Sequence, residues 1–147
     1  MQHHRTIIEQ FSLQAVPFAE LPGHSDSIQR LIEFSQVSAA DTVLDLACGP
    51  GLVACAFAEH TAHVTGIDLT PKMIEQAEKR QRENHVTNVS WKIGNVLPLP
   101  FPDSYFSCVI TRYSFHHFLD PRGVLSEMVR VCEPCGTVMV VDAVLPS

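Results

Sequence analysis

Four residues of this 147-residue sequence have types and spacing that could do chemistry: Asp45, Gly49, Gly51 and Asp68. The first three lie in "VLDLACGPG", residues 43–51, and the fourth near the end of "AHVTGIDL", residues 62–69. An apolar run that closes on glycines and enters an alanine-rich segment reads as strand, glycine loop and helix. That arrangement turns free N–H groups and the positive end of a helix dipole toward an anion. Gly49 and Gly51 permit positive φ and let a ligand come close to bare backbone. Asp68 ends the second strand 17 residues after Gly51, where a carboxylate can accept from both hydroxyls of a ribose. Loop and carboxylate together describe a nucleoside ligand.

Two ligand classes fit. Gly49-x-Gly51-x-x-Ala54 satisfies the dinucleotide fingerprint in its alanine-ended form. Asp45 separates that reading from a second. It lies where the strand meets the ligand crevice, so it repels a pyrophosphate and attracts an ammonium or a sulfonium. S-adenosylmethionine carries both cations, with a carboxylate for the N–H groups. The blander alternative is that Asp45 only caps the loop.

The elements that must position these residues alternate. "TIIEQF" and "SDSIQRLIEFSQ" read as two leading helices, the second with Ile28, Leu31 and Ile32 at helical spacing and Ser25 or Ser27 as cap. "DTVLDLA", "AHVTGIDL", "NVSWKIG", "YFSCVITR" and "GTVMVVDAV" read as strands. Helices lie between them at "LVACAFAEH", at "TPKMIEQAEKRQREN" with Thr70 as N-cap and Pro71 at the first helical position, and at "DPRGVLSEMVRVCE". "NVLPLPFPDS" holds three prolines and reads as loop. Such alternation predicts an α/β fold, a parallel sheet with helices on both faces. We expect one domain over 1–147: an N-terminal helical cap over 1–40 and an α/β core over 41–147. The fifth strand has an uncovered edge, which predicts cover from the leading helices or from a second copy, a homodimer through that edge.

Composition narrows the function classes. A net charge of -6 argues against a nucleic-acid partner. The basic residues Lys72, Lys79, Arg80 and Arg82 share their helix with Glu75, Glu78 and Glu83, which predicts a solvated mixed-charge face. No apolar run approaches the ~18 residues of a membrane span, and "MQHHRTIIEQF" shows no signal peptide. Five cysteines without regular spacing, three of them (Cys48, Cys55, Cys108) in apolar runs, favour a reducing cytoplasm. Cys132-x-x-Cys135 has no second ligand pair and follows a helix rather than starting one, so neither a metal nor a redox role is expected.

Four stretches in order, "VLDLACGPG", "VTGIDLTPKMIEQAEKR", "GNVLPLPFPDSYFSCVITRYSFHHF" and "RVCEPCGTVMVVD", resemble the motifs of class I S-adenosylmethionine-dependent methyltransferases. The group they most resemble is related to the ubiquinone/menaquinone C-methyltransferases. The resemblance implies a three-layer Rossmann-like sheet of five parallel strands in order 3-2-1-4-5, here without the family's sixth and seventh strands. It implies S-adenosyl-L-methionine as cofactor, S-adenosyl-L-homocysteine as product and methyl transfer to a small-molecule acceptor. By that resemblance Asp45, Leu46, Ala47, Cys48, Gly49 and Gly51 hold the methionine part. Asp68 holds the ribose, with Leu69 and Met73 beside the adenine. Gly94, Asn95 and Val96 recognise the adenine edge, and Arg112 contacts the cofactor mainly through its backbone.

Two positions depart from the family pattern. Asn95 stands where the family usually has Asp, an acceptor without the charge. Cys135, in "EPCG", stands where the usual "KPGG" has a turn glycine. His117 and His116 follow the fourth strand, where a neutral imidazole can take a proton; the alternative is one buried and one surface histidine. Phe11, Phe18, Tyr113 and Phe115 are candidates to line a methyl-transfer site, with core packing as the alternative. Two other function classes stay open: a non-catalytic cofactor-binding module that self-associates through the fifth-strand side, and a nicotinamide-binding oxidoreductase domain.

Overall fold

A computed structural model describes the backbone of residues 5–12, 24–112 and 118–144, with side chains over 27–112 and 118–141. In chain order the elements are β1 (Arg5–Ser12), α1 (His24–Ser35), β2 (Thr42–Leu46), α2 (Leu52–Ala58), β3 (His63–Asp68), α3 (Pro71–Glu83), β4 (Val89–Ile93), β5 (Phe106–Arg112), α4 (Pro121–Val131) and β6 (Cys132–Val144). The strands form one parallel sheet in the order β1-β6-β5-β2-β3-β4. Its five strands β4-β3-β2-β5-β6 realise the predicted order 3-2-1-4-5.

Strand alternation divides the core between the two faces of the sheet. Val43, Val64 and Ile110 pack with Ile28 and Leu31 of α1 and Phe57 of α2. Leu44, Leu46 and Val109 pack on the other face with Val124 and Met128 of α4 and with Leu99. The cysteines Cys48, Cys55, Cys108 and Cys132 are buried. No helix among the described residues is long and apolar enough to cross a membrane.

The N-terminal expectation needs correction. Arg5–Ser12 is a strand, so the 1–40 region is not a purely helical cap. Thr6, Ile7 and Ile8 are consecutive β-branched residues, which favour extended backbone. An isolated helix of this length lacks the hydrogen bonds to sustain itself, whereas the edge of β6 offers a full row of unpaired N–H and C=O groups. β1 pairs with it in parallel from Arg5↔Thr137 to Ser12↔Val144. The edge that motivated self-association is therefore taken by the chain's own first strand. α1 begins at His24, so Ser25 and Ser27 both lie inside the helix rather than capping it.

Candidate functional site

The chain runs outward from β2 through β3 to β4, then crosses back to β5 and β6 on the other side. In open parallel sheets ligands bind at the carboxyl ends of the strands beside such a reversal. Asp45 lies near the end of β2, and Asp68 and Arg112 end β3 and β5. The loop after β2 is strongly curved, with positive φ at Ala47 (53°), Gly49 (54°) and Gly51 (84°). Its N–H groups turn inward. Cys48 N–H donates to the Ile67 carbonyl (3.0 Å), Gly51 N–H to the Cys48 carbonyl (3.1 Å) and Gly49 N–H to Asp68 Oδ2 (2.9 Å). Asp68 Oδ1 accepts from Thr70 N–H at 2.9 Å. The loop is thus less open to an anion than its glycines suggest. A pyrophosphate there would meet the Asp68 carboxylate while these three donors are engaged elsewhere.

The two glycines have different causes. A Cβ on Gly51 would lie 2.8 Å from Trp91 Cη2 and 3.0 Å from Ala77 Cβ. Gly66 in β3 also faces this indole: a Cβ added there would lie 2.6 Å from Cζ3. Trp91 therefore packs against both residues, and its Nε1 donates to Gln81 Oε1 at 2.8 Å. Arg80 Nε reaches the Pro50 carbonyl at 3.2 Å, so this arginine, expected on a solvated face, ties α3 to the loop. At Gly49 an added Cβ would meet nothing within 4 Å. That is open space at the mouth of the loop.

Asp45 is only 2% exposed. Its carboxylate accepts from the backbone N–H of Ala54 in α2, so the capping role is real for one oxygen. Oδ2 has no hydrogen-bond partner among the described residues. Burial raises the carboxyl from 3.8 to about 8; the Arg112 guanidinium works against the rise and the Asp68 carboxylate adds to it. Arg112 is engaged through its side chain: its Nη2 donates to Ser27 Oγ of α1 at 3.0 Å.

A cleft of about 360 Å³ opens beside this loop. Six predicted residues line it: Ala47, Asp68, Leu69, Gly94, Asn95 and Val96. The sequence reading missed its other wall, where Phe118, Leu119 and Asp120 stand. Leu69 is 65% exposed and Leu119 105%, an unusual exposure for leucines in one cleft. The proline loop that carries Asn95 and Val96 is pinned from α4. Arg130 donates to the carbonyls of Phe101 (2.9 Å) and Leu99 (3.0 Å), to Asp103 (2.8 Å) and to both oxygens of Glu127. Glu127 Oε1 also accepts Leu99 N–H at 2.8 Å. The arginine beside it holds the Glu127 carboxyl below its ordinary value.

Other predicted residues fall elsewhere. Leu46 is a core residue, fully buried, and Cys48 packs inward. Met73 is half-buried in the first turn of α3, outside the cleft lining. His116, His117, Tyr113 and Phe115 lie outside the described residues, as do the side chains of Phe11 and Phe18. Cys132 is buried and Cys135 exposed, and Cys135, within β6, has φ 66°, the left-handed strain expected where a glycine is usual.

The profile of the family described as "Methyltransferase domain" matches residues 44–140. This chain belongs to the methyltransferase domain family. The uncharacterized methyltransferase YcgJ of Bacillus subtilis (strain 168) is 35% identical over 117 residues, covering 80% of this chain and 46% of that protein. Its crystal structure superposes with a TM-score of 0.78 over 81% of this chain and 51% of that one. The demethylmenaquinone methyltransferase of Listeria welshimeri is 31% identical over 119 residues, 79% of this chain and 50% of that protein. This methyltransferase domain thus spans about half the length of the curated relatives it matches. S-adenosylmethionine is the cofactor this family implies. The open cradle at Gly49, the Asp45 oxygen without a partner among the described residues and the apolar cleft walls fit it.

Proposed function

We propose that this domain binds S-adenosylmethionine across the carboxyl ends of β2, β3 and β4 and supports methyl transfer to a small-molecule acceptor. The observation that carries this reading is the convergence of Asp68, Leu69, Asn95 and Val96 on one cleft that adjoins the glycine loop. When bound, the cofactor supplies an electrophilic sulfonium methyl. Asp68 keeps lone pairs beyond the two N–H groups it already accepts, and offers them to ribose hydroxyls. Asn95 accepts from the adenine amino group and Val96 offers backbone to the ring edge. Leu69 and Leu119 cover the faces of the base and remove apolar area from water. Asp45 attracts the cationic amino-acid end. The domain works by positioning and by excluding water.

The quinone-related names of relatives such as the Listeria enzyme support an electron-rich ring as acceptor class. The buried cysteines are free thiols, which supports a reducing, cytoplasmic setting. Titration calorimetry with S-adenosylmethionine, S-adenosylhomocysteine and NAD tests the reading. We expect both adenosyl compounds to bind and NAD not to; the opposite pattern would sink it.

A further inference from the structure

A carboxylic acid buried with one oxygen unpartnered calls for a cation or a proton. Asp45 is buried and has an oxygen without a hydrogen-bond partner among the described residues. Charged and titratable groups act on it from three elements and the loop: Arg112 at the end of β5, Asp68 at the end of β3, Cys48 in the glycine loop and Cys55 on α2. Burial pushes both thiols upward, so the two cysteines bring no charge to the site. Asp68 repels a second negative charge here, and the Arg112 guanidinium is shared with Ser27 of α1. Among the described residues one cation, partly engaged elsewhere, faces two carboxyl groups, one of them desolvated.

We propose that Asp45 is a proton-exchanging specificity residue: it holds a proton in the ligand-free protein and releases it to solvent when the α-ammonium of an S-adenosyl ligand arrives. The inference rests on the cofactor reading above. The exchange balances: the ligand keeps its ammonium proton, the carboxylic acid becomes a carboxylate, and one proton goes to buffer. The site therefore favours adenosyl ligands with a cationic amino-acid tail over those without, and favours them more as pH rises. Ordinary capping by Asp45 gives neither effect.

The test is calorimetry of the full chain with S-adenosylhomocysteine, at about pH 6 and about pH 7, in buffers of different ionisation enthalpy. We expect release of close to one proton per site and an affinity gain approaching tenfold for that pH unit, the limit for one linked proton. 5′-Methylthioadenosine, which lacks the amino-acid tail, should release none and bind equally at both pH values. Asp45→Asn should bind S-adenosylhomocysteine more weakly and with a flat pH profile. The wild-type proton count stands even if that variant fails to fold. Binding without proton release and with a flat profile overturns the proposal alone. No binding of either adenosyl compound overturns the cofactor reading and the proposal with it.

Discussion

Gly49 and Asp68 are joined by a 2.9 Å hydrogen bond from the glycine's backbone N–H to Oδ2, although nineteen residues separate them. The same carboxylate holds Thr70 N–H at the start of α3. One side chain thus ties the ends of two strands together at the mouth of the cleft. Asp68→Ala should weaken S-adenosylhomocysteine binding by about 1–3 kcal/mol, since loop anchor and ribose acceptor go together. Asp68→Asn keeps one acceptor oxygen and should lose less. Unchanged calorimetric affinity in both variants would remove Asp68 from the site.

The two loop glycines should separate stability from binding. Gly51→Ala forces a methyl group into Trp91 and Ala77 at φ 84°, and should lower stability by about 2–4 kcal/mol, the sum of strain and overpacking. Gly49→Ala meets no protein atom, so only the φ strain of about 1 kcal/mol applies; its larger effect should be lost affinity. Urea unfolding and ligand titration of both variants check this contrast.

Ligand-free stability should carry the mark of Asp45. Its folded-state value of about 8 lies above the ordinary 3.8, so the folded protein holds a proton that the unfolded chain has lost. That contribution is present in full at acidic pH and fades as pH rises toward about 8. The stability difference between wild type and Asp45→Asn should fall by up to ~1.4 kcal/mol per pH unit in this window. Urea unfolding at several pH values measures it; a constant difference would mean that Asp45 is already ionised.

Arg130→Lys tests the hold of α4 on the proline loop. Lysine keeps the charge but loses the fork that reaches two carbonyls and two carboxylates. We expect a loss of about 1–2 kcal/mol in stability, together with weaker cofactor binding, because Asn95 and Val96 ride on that loop. Full affinity in the variant would show that the cleft forms without this clasp.

Much of this arrangement was legible in the sequence because it rests on local signals. Apolar runs, prolines and glycines located the five core strands and their helices, and the four ordered motifs placed Asp68, Leu69, Asn95 and Val96 on one cleft. What escaped depends on distant partners. "TIIEQF" is equally short as helix or strand, and only the open edge of β6 decides it. The motif glycine Gly51 suggested a ligand, yet Trp91, forty residues on, explains it. A strand-interior glycine such as Gly66 does hint at a close neighbour, but not which one. Arg80 looked solvated because its partner is a backbone carbonyl, which no charge pattern reveals. Leu119 follows a stretch whose apolar residues read as well for core as for site.

The indole wedged under Gly51 and Gly66 is also the chain's single tryptophan. Its emission therefore comes from one place, directly beneath the loop on which the cofactor reading depends. The domain carries its own optical reporter. A ligand that settles on the loop should change the fluorescence of unlabelled protein, and the same signal should mark the moment the loop comes apart on unfolding.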